Sequence, residues 1–143
     1  LTLKETAMQT DFFDAHQRHW NDAEYLHQAQ RWANADHLYG MSVECGLKRL
    51  MMAFGMSIDA QGSPSDKKDR QHADGIWARF ESYRHRHTEG VGYVLSANPF
   101  ADWEASQRYA PQSSFDQSRI ERHQTGAQAV YALLKKAQKD GLI

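Results

Sequence analysis

The chain has 143 residues, with 17 Lys and Arg, 18 Asp and Glu, eight His, one Cys and a formal net charge of −1. That length fits one domain whose core needs no covalent staple. The single cysteine excludes an internal disulfide and suits a reducing compartment, and the near-zero charge excludes nonspecific attraction to nucleic acid as a bulk property.

Residues 1–10, LTLKETAMQT, form a lead-in without the charged-then-apolar layout of a signal peptide. They also lack an initiator Met, so a start inside a longer protein or after removal of a tag is expected. No apolar run approaches the roughly 18 residues of a membrane span, so no membrane partner and a cytoplasmic location are expected. A first helix is predicted over 11–28, where Phe13, His16 or Gln17, Trp20, Ala23 and His27 recur at helical spacing. The chain is expected to turn near Gln30 to Trp32, although no Gly or Pro marks the break and one continuous helix is the alternative. The central helix is predicted over 33–54. Ala35, Tyr39, Val43, Gly46, Leu47, Leu50 and Phe54 make one apolar face, and Leu38, Met41, Cys45 and Met52 a neighbouring one. A helix apolar over that much of its circumference is covered on several sides. Small residues at Ala33, Ala35, Gly40, Ser42, Cys45 and Gly46 admit close neighbours, and Gly55 suits the helix end.

Residues 57–70 read as a long loop rich in turn formers. A third helix is predicted over 71–87, with His72, Ile76, Phe80 and Tyr83 on one face. Its tail, Arg84-His85-Arg86-His87, is the densest basic cluster and complements the negative end of the helix. Asn98-Pro99 reads as a cap followed by a first-turn proline, which predicts a short helix carrying Phe100 and Trp103 and ending at Pro111. The last helix is predicted over 117–138, opened by a Ser114-x-x-Gln117 capping box. Ile120, Ala127, Val130, Leu134 and Ala137 form its stripe, joined by Tyr131 and Leu133. The expected fold is all-α: one domain over 1–143, an up-and-down four-helix bundle with an additional short helix.

The run Ala35-Asp36-His37-Leu38-Tyr39, followed by Ser42-Val43-Glu44-Cys45-Gly46-Leu47-Lys48, resembles the central helix of HEPN-type domains. His72 followed by Ile76-Trp77, and Trp103 followed by Arg108-Tyr109 and Pro111, agree with it in order and spacing. The resemblance implies a HEPN-like helical bundle that forms a homodimer and belongs to a nucleotide- or RNA-linked bacterial stress or defence system, such as a toxin–antitoxin module. It implies RNA or a nucleotide as ligand, a cognate nucleotidyltransferase-like or antitoxin protein as partner, and no cofactor.

Catalytic members of that group are metal-independent endoribonucleases using an Arg and a His a few residues apart, shared between two chains. A histidine takes the proton of the attacking 2′-hydroxyl near neutral pH, and an arginine holds the phosphate and its developing charge. Arg79 and His85 match with five residues between them, and Arg31 and His37 share that spacing. Both matches depart from the family pattern, because Phe80 and Trp32 follow the arginine where a polar residue is usual. On one continuous helix the two side chains point about 120° apart, so they would meet on one phosphate only across a second chain or a helix end. A second constellation, Trp103 with Arg108 and Tyr109, offers rings to stack a base and a guanidinium to hold its phosphate. A third is Glu44, which on so apolar a helix requires a partner; Lys48, Arg108 and His72 are the choices, in a structural ion pair or a ligand-reading pocket. A fourth, Glu24-x-x-His27, has the spacing of di-iron bundles. Asp69-x-x-His72 and the His16/His19 pair are its nearest companions, but no second Glu-x-x-His exists, and no metal site is assigned. Cys45 reads as a small buried hydrophobe. The expected function is a binding or interaction module, with an endoribonuclease and a metal-binding bundle as alternatives.

Overall fold

The computed structural model describes residues 8–143, so the first seven residues of the expected lead-in lie outside the described residues. Four α-helices make up the fold: α1 (Phe12–Gln28), α2 (Trp32–Ala53), α3 (Ala73–His85) and α4 (Gln117–Lys139). Among the described residues the one β feature is an isolated bridge between Ile58 and Pro64, inside the 57–70 loop. No helix of the described residues is long and apolar enough to cross a membrane.

The helices begin and end for local reasons. Asp11 caps α1 by accepting from the Asp14 amide at 3.0 Å. Asp116 caps α4 by accepting from the Arg119 amide at 2.8 Å. That carboxylate takes the place of the expected Ser114–Gln117 box, and Gln112–Ser114 forms a 3-10 turn instead. Between α1 and α2 the chain reverses at Gln30, which adopts φ 60°. The Arg31 amide reaches back to the Leu26 carbonyl at 2.9 Å and the Gln30 amide to His27 at 3.0 Å, a closure usually made by glycine. This turn rules out the single long helix. Gly55, at φ 108°, closes α2 the same way, with the Met56 amide on the Met51 carbonyl at 2.8 Å.

Helix α2 is the centre of the molecule, as its two apolar faces predict. It is buried almost continuously from Ala35 to Met51, with α1, α3 and α4 around it. Gly46 lets two of them close in: a Cβ there would lie 2.7 Å from His16 Nδ1 of α1 and 2.9 Å from Val130 Cγ1 of α4. At Gly40 the close neighbour is not a helix but the Trp103 indole, which a Cβ would meet at 2.1 Å.

The expected short helix after Asn98-Pro99 is replaced by turns and a five-residue 3-10 segment, Ala105–Tyr109. Asn98 does cap its turn, accepting from the Phe100 amide at 2.8 Å, but its own amide is drawn to the Asp74 carbonyl at 3.0 Å. Residues three apart share one face of a helix. Here Phe100 docks over Gly126 of α4 and Trp103 over Gly40 of α2, so the segment opens to serve two helices.

Gln30 holds a left-handed conformation that costs an ordinary residue roughly 1 kcal/mol. Its side chain is exposed, so Gln30→Gly is expected to stabilise the fold by about 0.5–1 kcal/mol, read as a higher urea midpoint with unchanged m-value.

Candidate functional site

The three segments that carry the sequence resemblance meet on α2. Glu44, 8% exposed, places Oε2 at 2.8 Å from Lys48 Nζ and Oε1 at 2.8 Å from His72 Nδ1. Two of its three expected partners are therefore present. Lys48 is itself buried, its ammonium 5.8 Å from the Phe12 ring centre. His72 sits at the N-cap of α3, and its ring lies 6.5 Å from that of Trp103. Trp103 has no exposed surface; its Nε1–H donates to the Asp36 carbonyl at 3.1 Å, and its ring stacks on His37 at 5.5 Å. Enclosed in this way, Trp103 offers no face to a base and shapes the surface from beneath.

Arg108, the third partner considered for Glu44, does not reach it. Its Nη1 donates to the Ala105 carbonyl at 2.8 Å, and its guanidinium lies 4.7 Å from the centre of the Tyr109 ring, which is 78% exposed. Arg108 and Tyr109 thus keep the exposed arginine–aromatic pairing expected of them, without Trp103.

Arg79 and His85 do not come together within the chain. Arg79 Nη2 lies 2.7 Å from Asp69 Oδ1, and Asp69, 1% exposed, also accepts the Tyr83 hydroxyl proton. The Asp69 hydrogen bond holds the Arg79 guanidinium firmly protonated. The His85 ring stands largely in solvent at the end of α3, Nε2 3.6 Å from Glu81. Of the second match, Arg31 is exposed at the N-cap of α2, while His37 is tucked against Trp103.

A further polar cluster carries more buried charge than any of these. Asp36 and His123 have no exposed surface. His123 Nδ1 lies 2.6 Å from Asp36 Oδ1, and its Nε2 lies 2.8 Å from Asp102 Oδ1. Each ring nitrogen of His123 thus faces a carboxylate oxygen. Phe100 stacks on the ring at 4.8 Å. The other Asp36 oxygen accepts from Gln107 at 2.7 Å and from Arg119 at 3.3 Å. Arg119 and Arg122 then hold Asp102 at 3.3 and 3.0 Å. Burial alone would raise the Asp102 carboxyl, but hydrogen bonds from Arg122 and His123 and the charges of His123 and Arg119 outweigh it and hold it well below the carboxylate range. Sequence reading passed over both buried members. The signal was there: Asp36 lies one turn before Tyr39 and Gly40 on the buried face of α2, and His123 fills the rung between Ile120 and Ala127.

His16 and His27 line helix contacts. His16 Nδ1 sits 2.8 Å from the Ser42 carbonyl, and His27 packs edge-on to Trp32 and Tyr39. Glu24, the carboxylate of the di-iron-like pair, takes the Tyr39 hydroxyl and the Gln124 amide. Among the described residues no three His, Cys, Asp or Glu side chains converge in a metal-holding arrangement. Burial pushes the Cys45 thiol up to about 12, the opposite of what a nucleophile needs.

Removing His123 leaves the Asp36 carboxylate buried with a weaker set of partners, so His123→Ala is expected to cost about 3 kcal/mol in chemical denaturation. Arg79→Ala strands Asp69 in the same way and is expected to cost about 2–3 kcal/mol, whether or not any activity is measured. Acid should destabilise in two stages. Burial lowers the proton affinity of His16, His19 and His37 below the ordinary 6.5; their stabilisation is complete above that pH and is lost as pH falls below it. The depressed carboxyl of Asp102 adds stability that is present above about 4 and lost only below that pH. Melting temperature against pH should show both declines, and His37→Gln should flatten the first.

No protein-family model matches this chain, and neither the curated proteins nor the solved structures give a significant match.

Proposed function

We propose that the protein is a HEPN-like binding module of a nucleotide- or RNA-linked bacterial stress or defence system. One observation carries the reading. Glu44, His72 and Trp103 come from three separate stretches of sequence, and they lie together on one side of α2, Glu44 on His72 at 2.8 Å and His72 beside Trp103 at 6.5 Å. Arg108 and Tyr109 follow Trp103 at the exposed edge. A binding role suits this arrangement better than catalysis. Arg79 is committed to a buried carboxylate, and His85 stands apart from it in solvent, so this pair does not form a general base with a phosphate clamp within the chain. A second copy of the chain and a cognate antitoxin or nucleotidyltransferase-like protein belong to the same proposal as partners.

The test is a thermal-shift series with nucleotides and short single-stranded RNAs, run with EDTA and with the products checked for turnover. A ligand at a hundred times its Kd stabilises a single-site protein by about 2.7 kcal/mol, so a rise of several degrees without cleavage is expected. RNA cleavage in EDTA that disappears in a folded His85→Ala variant would replace the binding reading with an endoribonuclease.

A further inference from the structure

We propose that the cleft between the start of α2 and the 105–112 segment binds a nucleoside phosphate, with the phosphate between Arg31 and Arg108 and the base on Tyr109. The inference rests on the nucleotide-linked reading above and supplies its site. The cleft has a volume of about 450 Å³, and Leu26, Arg31, Asn34, Arg108 and Gln112 are among its walls. That volume lies within the range of small-ligand pockets.

Its charge is one-sided. No Asp or Glu lines it, and two arginines do. Of the other arginines, Arg70, Arg79, Arg84, Arg119 and Arg122 are each held by a carboxylate, while Arg18, Arg49 and Arg86, which are not, lie outside this cleft. Arg31 and Arg108 make no salt bridge among the described residues. Two guanidiniums around one hollow without a counter-charge are an incomplete arrangement, and an anion with several acceptor oxygens completes it. Arg108 gives one N–H to the Ala105 carbonyl and keeps the rest of its donor fork.

An anion alone does not explain the neighbouring ring. Tyr109 follows Arg108 directly, carries the guanidinium over its ring at 4.7 Å and is 78% exposed. A large aromatic held in place by an arginine, with most of its surface in water, is a stacking platform. The segment that presents it is anchored from below, since Trp103 and Gln107 are both fixed to Asp36. Asn34 and Gln112 add amides, which donate and accept, on the cleft wall. A phosphate joined to a planar base uses all of these groups; a carboxylate-bearing peptide uses only the arginines.

Isothermal titration of the full chain with AMP, with inorganic pyrophosphate and with an oligo-glutamate peptide tests this. The proteins are wild type, Arg31→Ala, Arg108→Ala, the double variant, Tyr109→Ala and Tyr109→Phe. The three side chains are exposed, and circular dichroism confirms that each variant is folded. Each arginine substitution should weaken AMP and pyrophosphate about tenfold, and added salt should weaken both further. Tyr109→Ala should weaken AMP about tenfold while leaving pyrophosphate unchanged, and Tyr109→Phe should restore AMP. AMP binding that survives the double substitution overturns the cleft but leaves the nucleotide-linked reading standing. Oligo-glutamate binding that depends on the arginines, with AMP indifferent to Tyr109, assigns the cleft to an acidic protein segment and overturns the nucleotide. If wild type binds no nucleotide or RNA at all, both the cleft and the nucleotide-linked reading fall.

Discussion

Asp36 is the constraint on which the rest of the molecule depends. A carboxylate with no exposed surface must have its charge met inside the protein or cost several kcal/mol. Here His123 of α4, Gln107 of the 3-10 segment and Arg119 all converge on it, and the Trp103 indole takes the carbonyl of the same residue. The core therefore has a register as well as a shape. An apolar bundle tolerates a loop that slides or a helix that rotates; this one does not, because either movement would unpair a buried charge. Such networks add little net stability over an apolar core, and specificity is the role we assign this one.

The same network runs from the interior to the surface. His123 passes from Asp36 to Asp102, which stands at the surface between Arg119 and Arg122. It also fixes the floor under Arg108 and Tyr109, whose preceding residue Gln107 is tied directly to Asp36. An exposed pair of side chains on an irregular segment would ordinarily be poorly positioned. Here the irregular stretch is held at both Trp103 and Gln107, so the exposed pair inherits the rigidity of α2.

The sequence was most legible where burial has a period. The stripes of α1, α2, α3 and α4 placed all four helices to within two residues at each end, and the two-faced apolar pattern of α2 made it the centre. Two places were opaque because the chain broke a local rule. Gln30 reverses the chain in a conformation that normally announces itself as glycine, so the first turn had no sequence mark. The 98–110 stretch had a good cap and a good first-turn proline, yet two aromatics that dock on different helices pulled it open. The site was half legible. Glu44 had to be paired, and of Lys48, Arg108 and His72, the partners its position offered, two meet it. Asp36 and His123 lie on two different helices, and nothing in either helix alone shows that the other's charge is there to meet it; only their occupation of core positions hinted at it. Arginine–histidine spacing carried the least, because Arg79 is already spent on Asp69, a partner ten residues earlier that no spacing rule brings into view.

The span of the Asp36–His123 contact, 87 residues along the chain, bears on how the molecule comes into being. As the polypeptide leaves the ribosome, α1 and α2 can zip into a hairpin with nothing more than each other. The carboxylate at the head of α2 must then stay hydrated until the last quarter of the chain has emerged. Closing that end of the hairpin early would bury an unmet charge, which is costly until the final helix arrives. A chain truncated before α4 has its central rod and Gln107 but lacks His123 and Arg119, the two partners that bring positive charge to Asp36.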